Sequence, residues 1–327
     1  MEDQDRAELC FPELFNASCR KPKLQQADVV LMYLLLFICV FTVVLNLLVI
    51  ISVSHFRQLH TPTNLLILSL AVSDFLQGLV TLVEVQRQTG CWFLGDRMCS
   101  LRVYVATIIL GASIGNMILI SVDRYVAICD PLHYSTRVTV KRVKMCVCVC
   151  WTCSVVYNGP IIKDFLTQPD LYRSCYGQCV GGTDNISGIV DNVLSSIAPV
   201  TVIIILYMRV FVTAVSQARA MRSHVAAVTL QHSRTVMNKK SELKAARTLG
   251  VVVVVFLMCF CPYFSLSFVQ DPSVGGLFST FAYLLLYVSY CLNPVIYALF
   301  YPWFRKAIRL IYSLQILQPG SRETNML

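Results

Sequence analysis

Charge is scarce in this chain. Of its 327 residues only 14% are Asp, Glu, Lys or Arg, against about a quarter in soluble domains. Acids and bases are absent altogether from Val29 to Val53, "VVLMYLLLFICVFTVVLNLLVIISV". Such a run outlasts the ~20 residues that cross a hydrocarbon core about 30 Å thick, so a soluble enzyme is excluded. Internal repeats are missing too, which argues against a transporter built from paired halves with broken helices. None of the five His lies inside an apolar run, so the intramembrane His cluster of a metal hydrolase is lacking. Residues 1–28 contain no short apolar stretch followed by a small-residue cleavage site. The first run is therefore expected to serve as an uncleaved anchor.

Six further runs follow: Leu65–Leu82, Val103–Val122, Met145–Ile162, Ile186–Val212, Leu249–Val269 and Leu277–Phe300. In lipid every backbone polar group must be satisfied within the protein, so runs of this length are helices. The expectation is an all-α membrane protein, a bundle of seven transmembrane helices. Its organisation is an extracellular tail over 1–28, a helical domain over 29–300 and a cytoplasmic segment over 301–327. Most of the 27 basic residues, among them Arg137, Lys141, Arg142, Lys144, Lys239, Lys240, Lys244, Arg305 and Lys306, then fall on the inner side. That fits the positive-inside rule with the N-terminus outside. The net charge of +9 is thus a topology signal and implies no nucleic-acid partner.

Nine of the 15 Cys sit in or beside helices, where a small apolar role is the ordinary one. Cys10, Cys19, Cys91, Cys99, Cys175 and Cys179 lie outside, where oxidation makes disulfides the default. Sequons at Asn16 and Asn185 fall outside as well and are candidate glycosylation sites.

Each helix carries one polar or proline mark. They run Asn46, Asp74 in "LAVSD", Asp123–Arg124–Tyr125 in "SVDRYVAICDPLHY", Trp151, Pro199, Pro262 in "CFCP", and Asn293–Pro294 to Tyr297 in "NPVIY". In this order they resemble a rhodopsin-like G-protein-coupled receptor over the whole chain. "SHFRQLHTPTNLLILSLAVSDFL", "CDPLHY" and "FYPWFRKA" narrow the resemblance to the trace amine-associated receptors, amine sensors that are mostly olfactory. The family's Asn-Ser before the Asn-Pro reads Ser289-Tyr290 here, and its usual Trp in helix six is Phe260.

The resemblance implies a short amphipathic eighth helix, a plasma-membrane location, no catalysis, and a heterotrimeric G protein of the stimulatory, olfactory type raising cAMP. It implies no cofactor beyond an allosteric sodium ion at Asp74, Ser113, Ser289 and Asn293. Arg124 would be restrained by Asp123 and by Glu242 at the start of helix six; for Glu242 the ordinary alternative is an i,i+3 or i,i+4 pairing with its lysine neighbours. Family pattern pairs Cys99 with Cys179 and Cys175 with an N-terminal cysteine, Cys10 being favoured over Cys19; spacing alone leaves the connectivity open.

One expected feature is missing. Amine receptors usually hold the ligand ammonium with an aspartate eighteen residues before the arginine of "DRY", and that position here is Ala106. Helix three has no carboxylate between Cys99 and Asp123. Asp191, eight residues before Pro199, stands instead at a helix-five position that faces the ligand in such receptors, as in a chiefly fish group of the family. Ser195 shares its face at i+4. An acid in an apolar run is costly without a partner; the bland reading is an aspartate that snorkels outward or pairs with Arg173. The expected ligand set is Asp191, Asn192, Ser195, Ala106, Thr107, Leu110, Phe260, Tyr263, Phe264, Tyr283 and Tyr287, with Glu84 a second acid at the rim. The aromatics would add cation–π contacts of ~0.5–2 kcal/mol each. Leu277–Phe300 holds no lysine for a retinal Schiff base, which excludes an opsin. A receptor for a peptide or a lipid is the alternative within the fold.

Overall fold

The computed structural model describes residues 9–14, 17–21, 25–160, 163, 167, 175–179, 190, 193–225, 250–266 and 272–326. Its helices are α1 (Gln26–His55), α2 (Pro62–Thr89), α3 (Gly95–Cys129), α4 (Val140–Tyr157), α5 (Ala198–Val225), α6 (Gly250–Ser265), α7 (Pro272–Phe300) and α8 (Pro302–Tyr312). A π-helical turn, Val193–Ile197, leads into α5. Five of these elements are long and apolar enough to cross a membrane by composition. α4 opens with Lys141, Arg142 and Lys144, and the described part of α6 is shorter. Helices overrun the apolar stretches because hydropathy marks only the lipid-facing length: α4 begins at Val140 rather than Met145, where the Thr139 hydroxyl accepts from Arg142 N–H at 3.4 Å.

The bundle carries a set of buried polar side chains within a largely apolar core, and its outer face is apolar. Asn46, Ser73, Asp74, Ser113 and Asn116 are almost fully buried, while Phe37, Val156, Met208, Phe211 and Met258 are exposed. On α6 the buried Val252, Val253, Phe256, Cys259 and Phe260 repeat at helical spacing, and Val254 and Met258 point away. Polar side chains tie the helices where lipid offers no hydrophobic drive between them. Trp151 Nε1 donates to Ser69 Oγ at 3.1 Å, and Ser69 Oγ donates to Asn116 Oδ1 at 2.8 Å, joining α4, α2 and α3. Pro294 has no N–H to offer the carbonyl of Tyr290 one turn earlier. Asn46 Nδ2 of α1 fills that place, at 2.9 Å from the Tyr290 carbonyl.

At one end, three disulfides join Cys99 to Cys179, Cys10 to Cys91 and Cys19 to Cys175. The expected Cys10–Cys175 pair is therefore corrected, and Cys91 acquires a role. Register explains the exchange. Leu9 bridges Arg20 and Ser18 bridges Tyr176, which sets Cys19 beside Cys175. Trp92 N–H donates to the Gly177 carbonyl at 3.0 Å, bringing Cys91 to Cys10. Gly177 lies at φ +101°, and a Cβ there would stand 2.7 Å from that of Cys10, so only glycine fits.

At the opposite end α8 buries Trp303, Phe304 and Ala307 and exposes Arg305 and Lys306. The chain then folds back. Met326 is buried, its N–H donates to Gln58 Oε1 at 2.9 Å, and Ser321 Oγ lies 2.9 Å from His55 Nε2.

Candidate functional site

Asp191, Asn192, Glu242, Asn16 and Asn185 lie outside the described residues, and Glu84 is on α2 with its side chain likewise outside them. The other expected ligand residues gather in two groups. On the first side Thr107 and Leu110 of α3 and Ser195 of the π-helical turn border one cavity. Pro199 lacks the N–H that would meet the Ser195 carbonyl, and the widened turn sits in that gap. Ala106, half-buried, precedes Leu110 by four residues and so shares its face of α3.

On the second side α6 and α7 present an aromatic ladder. Phe260 lies 6.0 Å from Phe264, Tyr263 lies 5.4 Å from Phe264 and from Tyr283, and Tyr283 lies 6.4 Å from Tyr287. Such π faces attract a cation. Phe260 also meets Tyr290 edge to face at 5.9 Å. The two departures from the family pattern are thus in contact.

Below them Asp74, Ser113, Ser289 and Asn293 border one small cavity with Phe260 and Tyr290. Asn293 Nδ2 donates to Asp74 Oδ2 at 2.8 Å, and Ser289 Oγ donates to the Leu286 carbonyl at 2.6 Å. Ser113 Oγ and Tyr290 OH are buried with no partner among the described residues. The volume is about 10 Å³, room for roughly one water-sized guest.

At the far end of α3 the Asp123 carboxylate accepts from Arg124 Nε at 3.0 Å and also from Arg124 Nη2. Both residues are buried. Two further partners, unmarked at the sequence level, complete the cage. Thr63 Oγ1 donates to Asp123 at 3.0 Å and accepts from Arg124 Nη2 at 2.7 Å, and Tyr134 OH donates to Asp123 at 2.9 Å. Tyr134 closes the "CDPLHY" stretch on a helical turn, Tyr134–Arg137, and burial raises its phenol to about 12. Tyr125, next to this cage, is exposed, whereas Tyr297 of the "NPVIY" stretch is buried with its ring 6.1 Å from that of Tyr301. The hydroxyls of Tyr207, Tyr297 and Tyr301 are buried and lack a partner among the described residues. An arginine neutralised by its neighbour, beside spare hydroxyls, is an arrangement that can exchange partners.

The seven-transmembrane receptor family of rhodopsin matches over residues 45–297. Trace amine-associated receptor 13c of Danio rerio is 35% identical over 99% of this chain and 98% of its own length. Trace amine-associated receptor 7e of Mus musculus is 37% identical over 98% of this chain and 92% of its own. Trace amine-associated receptor 1 of Mus musculus is 36% identical over 87% and 89%.

Proposed function

The chain belongs to the rhodopsin family of seven-transmembrane receptors and, within it, to the trace amine-associated receptors, and on that footing we propose that it detects small cationic amines through the Asp191 carboxylate. It is a multi-pass membrane receptor and not an enzyme. The observation that carries the ligand class is the exchange of charge between two helices: Ala106 where helix three would hold the ammonium, Asp191 on the segment before Pro199. A desolvated ammonium and carboxylate are tolerable where each completes the other's bonding. Ser195 supplies a hydroxyl on the same segment, and the Tyr263, Phe264, Tyr283 and Tyr287 rings supply faces for the cation. The reading puts the N-terminus outside, which the excess of Lys and Arg in the loops on the other side supports. A screen of volatile amines against alcohols of equal length, read as cAMP in transfected cells, tests the reading. Response to amines alone is expected; equal response to the alcohols points to a neutral lipid or peptide ligand.

In the silent state Arg124 is held by Asp123 and Thr63, with Tyr134 bracing the Asp123 carboxylate and Glu242 as the reading's anchor from helix six. Amine binding would release it and open the cytoplasmic end to a stimulatory, olfactory-type G protein, a two-state element of the kind switches use. A hydrogen bond to a charged group contributes about 1.5–3 kcal/mol. Tyr134→Phe and Glu242→Ala are each expected to raise ligand-free cAMP severalfold at equal surface expression. Unchanged basal signal in both would mean that the Asp123–Arg124 pair alone keeps the receptor silent.

The small cavity at Asp74 suits a sodium ion. The carboxylate, the unpartnered Ser113 hydroxyl, Ser289 and Asn293 are hard oxygen donors, and the volume admits a bare ion without its water shell. Bound there, sodium would neutralise the buried carboxylate. Replacing sodium by N-methylglucamine in membranes is expected to raise agonist affinity about threefold or more, and Ser113→Ala to remove that sensitivity. Affinity that ignores the cation in the wild type would contradict the assignment.

A further inference from the structure

A fifth polar side chain borders the small cavity at Asp74. Tyr290 is 3% exposed there, and its hydroxyl has no hydrogen-bond partner among the described residues. A buried hydroxyl left unpartnered is a cost, and proteins keep few of them. The residue is also held in place. Its carbonyl accepts from Asn46 Nδ2 at 2.9 Å. Its ring stands edge-on to Phe260 at 5.9 Å, and Phe260 stacks on Phe256 at 4.0 Å.

Donors and room together select what that hydroxyl serves. It lies within electrostatic reach of the Asp74 carboxylate. Asp74 accepts from Asn293 Nδ2, yet neither Tyr290 nor Ser113 donates to it. Hydroxyls that stand near a buried carboxylate without donating to it keep their lone pairs for a cation. A volume of about 10 Å³ takes roughly one water-sized body. An ion that enters must therefore shed its water and draw its contacts from the protein. Where the family has a serine, Tyr290 carries its oxygen further from the backbone and fills space that water would occupy. Resting on the sodium reading of this cavity, we infer that the Tyr290 hydroxyl is a direct ligand of the cation, in the place of a water, beside Asp74, Ser113, Ser289 and Asn293. Tyr290 also touches Phe260, which neighbours Phe264 in the aromatic ladder. One residue thus joins the cation to the proposed amine site, and by linkage each ligand alters the other's affinity by the same factor.

Binding is read without agonist, as the thermal unfolding midpoint of purified full-length receptor. Sodium chloride is titrated against N-methylglucamine chloride at constant ionic strength. A ligand of the folded state raises that midpoint. In wild type sodium is expected to raise it saturably, and potassium, a larger ion, to need at least tenfold more. Tyr290→Phe keeps the ring and its contact with Phe260 but removes the oxygen. Its midpoint in N-methylglucamine is expected to equal or exceed that of wild type, because an unpartnered buried hydroxyl is gone. Its half-saturating sodium concentration is expected to rise at least tenfold. Sodium affinity unchanged in Tyr290→Phe would overturn the ligand role and leave the sodium reading standing. A Tyr290→Phe receptor less stable than wild type in N-methylglucamine would show that the hydroxyl serves the protein itself, and potassium equal to sodium would contradict a bare-ion fit; either overturns the inference. No saturable response in wild type removes both this inference and the sodium reading, and a response gained in Tyr290→Ser would then identify the phenol as a plug.

Discussion

Asp191→Asn is expected to raise the amine concentration for half-maximal cAMP about a hundredfold or more, with surface expression unchanged. Asparagine keeps the volume and removes the charge, so the ammonium would enter a desolvated site with no counter-ion. Removing one partner of a buried ion pair costs about 3–5 kcal/mol, and each ~1.4 kcal/mol is tenfold in affinity. Helix three has no carboxylate between Cys99 and Asp123 to take over. Asp191→Glu, which keeps the charge on a longer stem, is expected to recover part of the loss. Potency within threefold of wild type in Asp191→Asn would remove the amine assignment at this residue.

The second large effect is a gain. Ala106→Asp would restore the usual counter-ion while keeping Asp191, so that two carboxylates serve one site. Without ligand they repel, and one takes up a proton or the site holds a cation. A diamine of about five carbons would neutralise both. Its potency is expected to rise at least tenfold over wild type, or ~1.4 kcal/mol, while monoamines gain less. The double variant Ala106→Asp with Asp191→Asn should return to monoamines, held from the opposite side. Ala106 is half-buried and shares its α3 face with Leu110. Parallel loss of diamine and monoamine potency with intact expression would show that Ala106 does not face the ammonium.

What the sequence discloses divides along a physical line. Uncharged runs report the spans directly, because lipid forbids exposed backbone and charge. Polar marks such as Asn46, Asp74 and Asn293 are conspicuous against an apolar ground, and the structure gives two of them a direct bond: Asn293 donates to Asp74. Asn46 completes a further contact by donating to the carbonyl that Pro294 leaves unmatched. Thr63 and Tyr134 were illegible as partners of Asp123, since they stand 60 and 11 residues away and look like ordinary loop residues. Disulfide connectivity was illegible for another reason. Six cysteines allow fifteen pairings, and the choice of Cys19 for Cys175 rests on the Ser18–Tyr176 bridge, a contact between segments far apart in sequence. The contact of Phe260 with Tyr290 belongs to the same class: each reads as a lone departure until α6 and α7 are packed together.

The most direct measurement is the position of the ammonium in an amine-bound complex, determined by electron cryomicroscopy of the receptor with a stimulatory G protein. The expected result places the ligand nitrogen about 2.7–3.2 Å from an Asp191 carboxylate oxygen, with the aromatic faces of α6 and α7 on its other side. A ligand nitrogen bonded elsewhere, at Glu84 or to loop carbonyls, with Asp191 turned toward lipid or Arg173, would contradict the account.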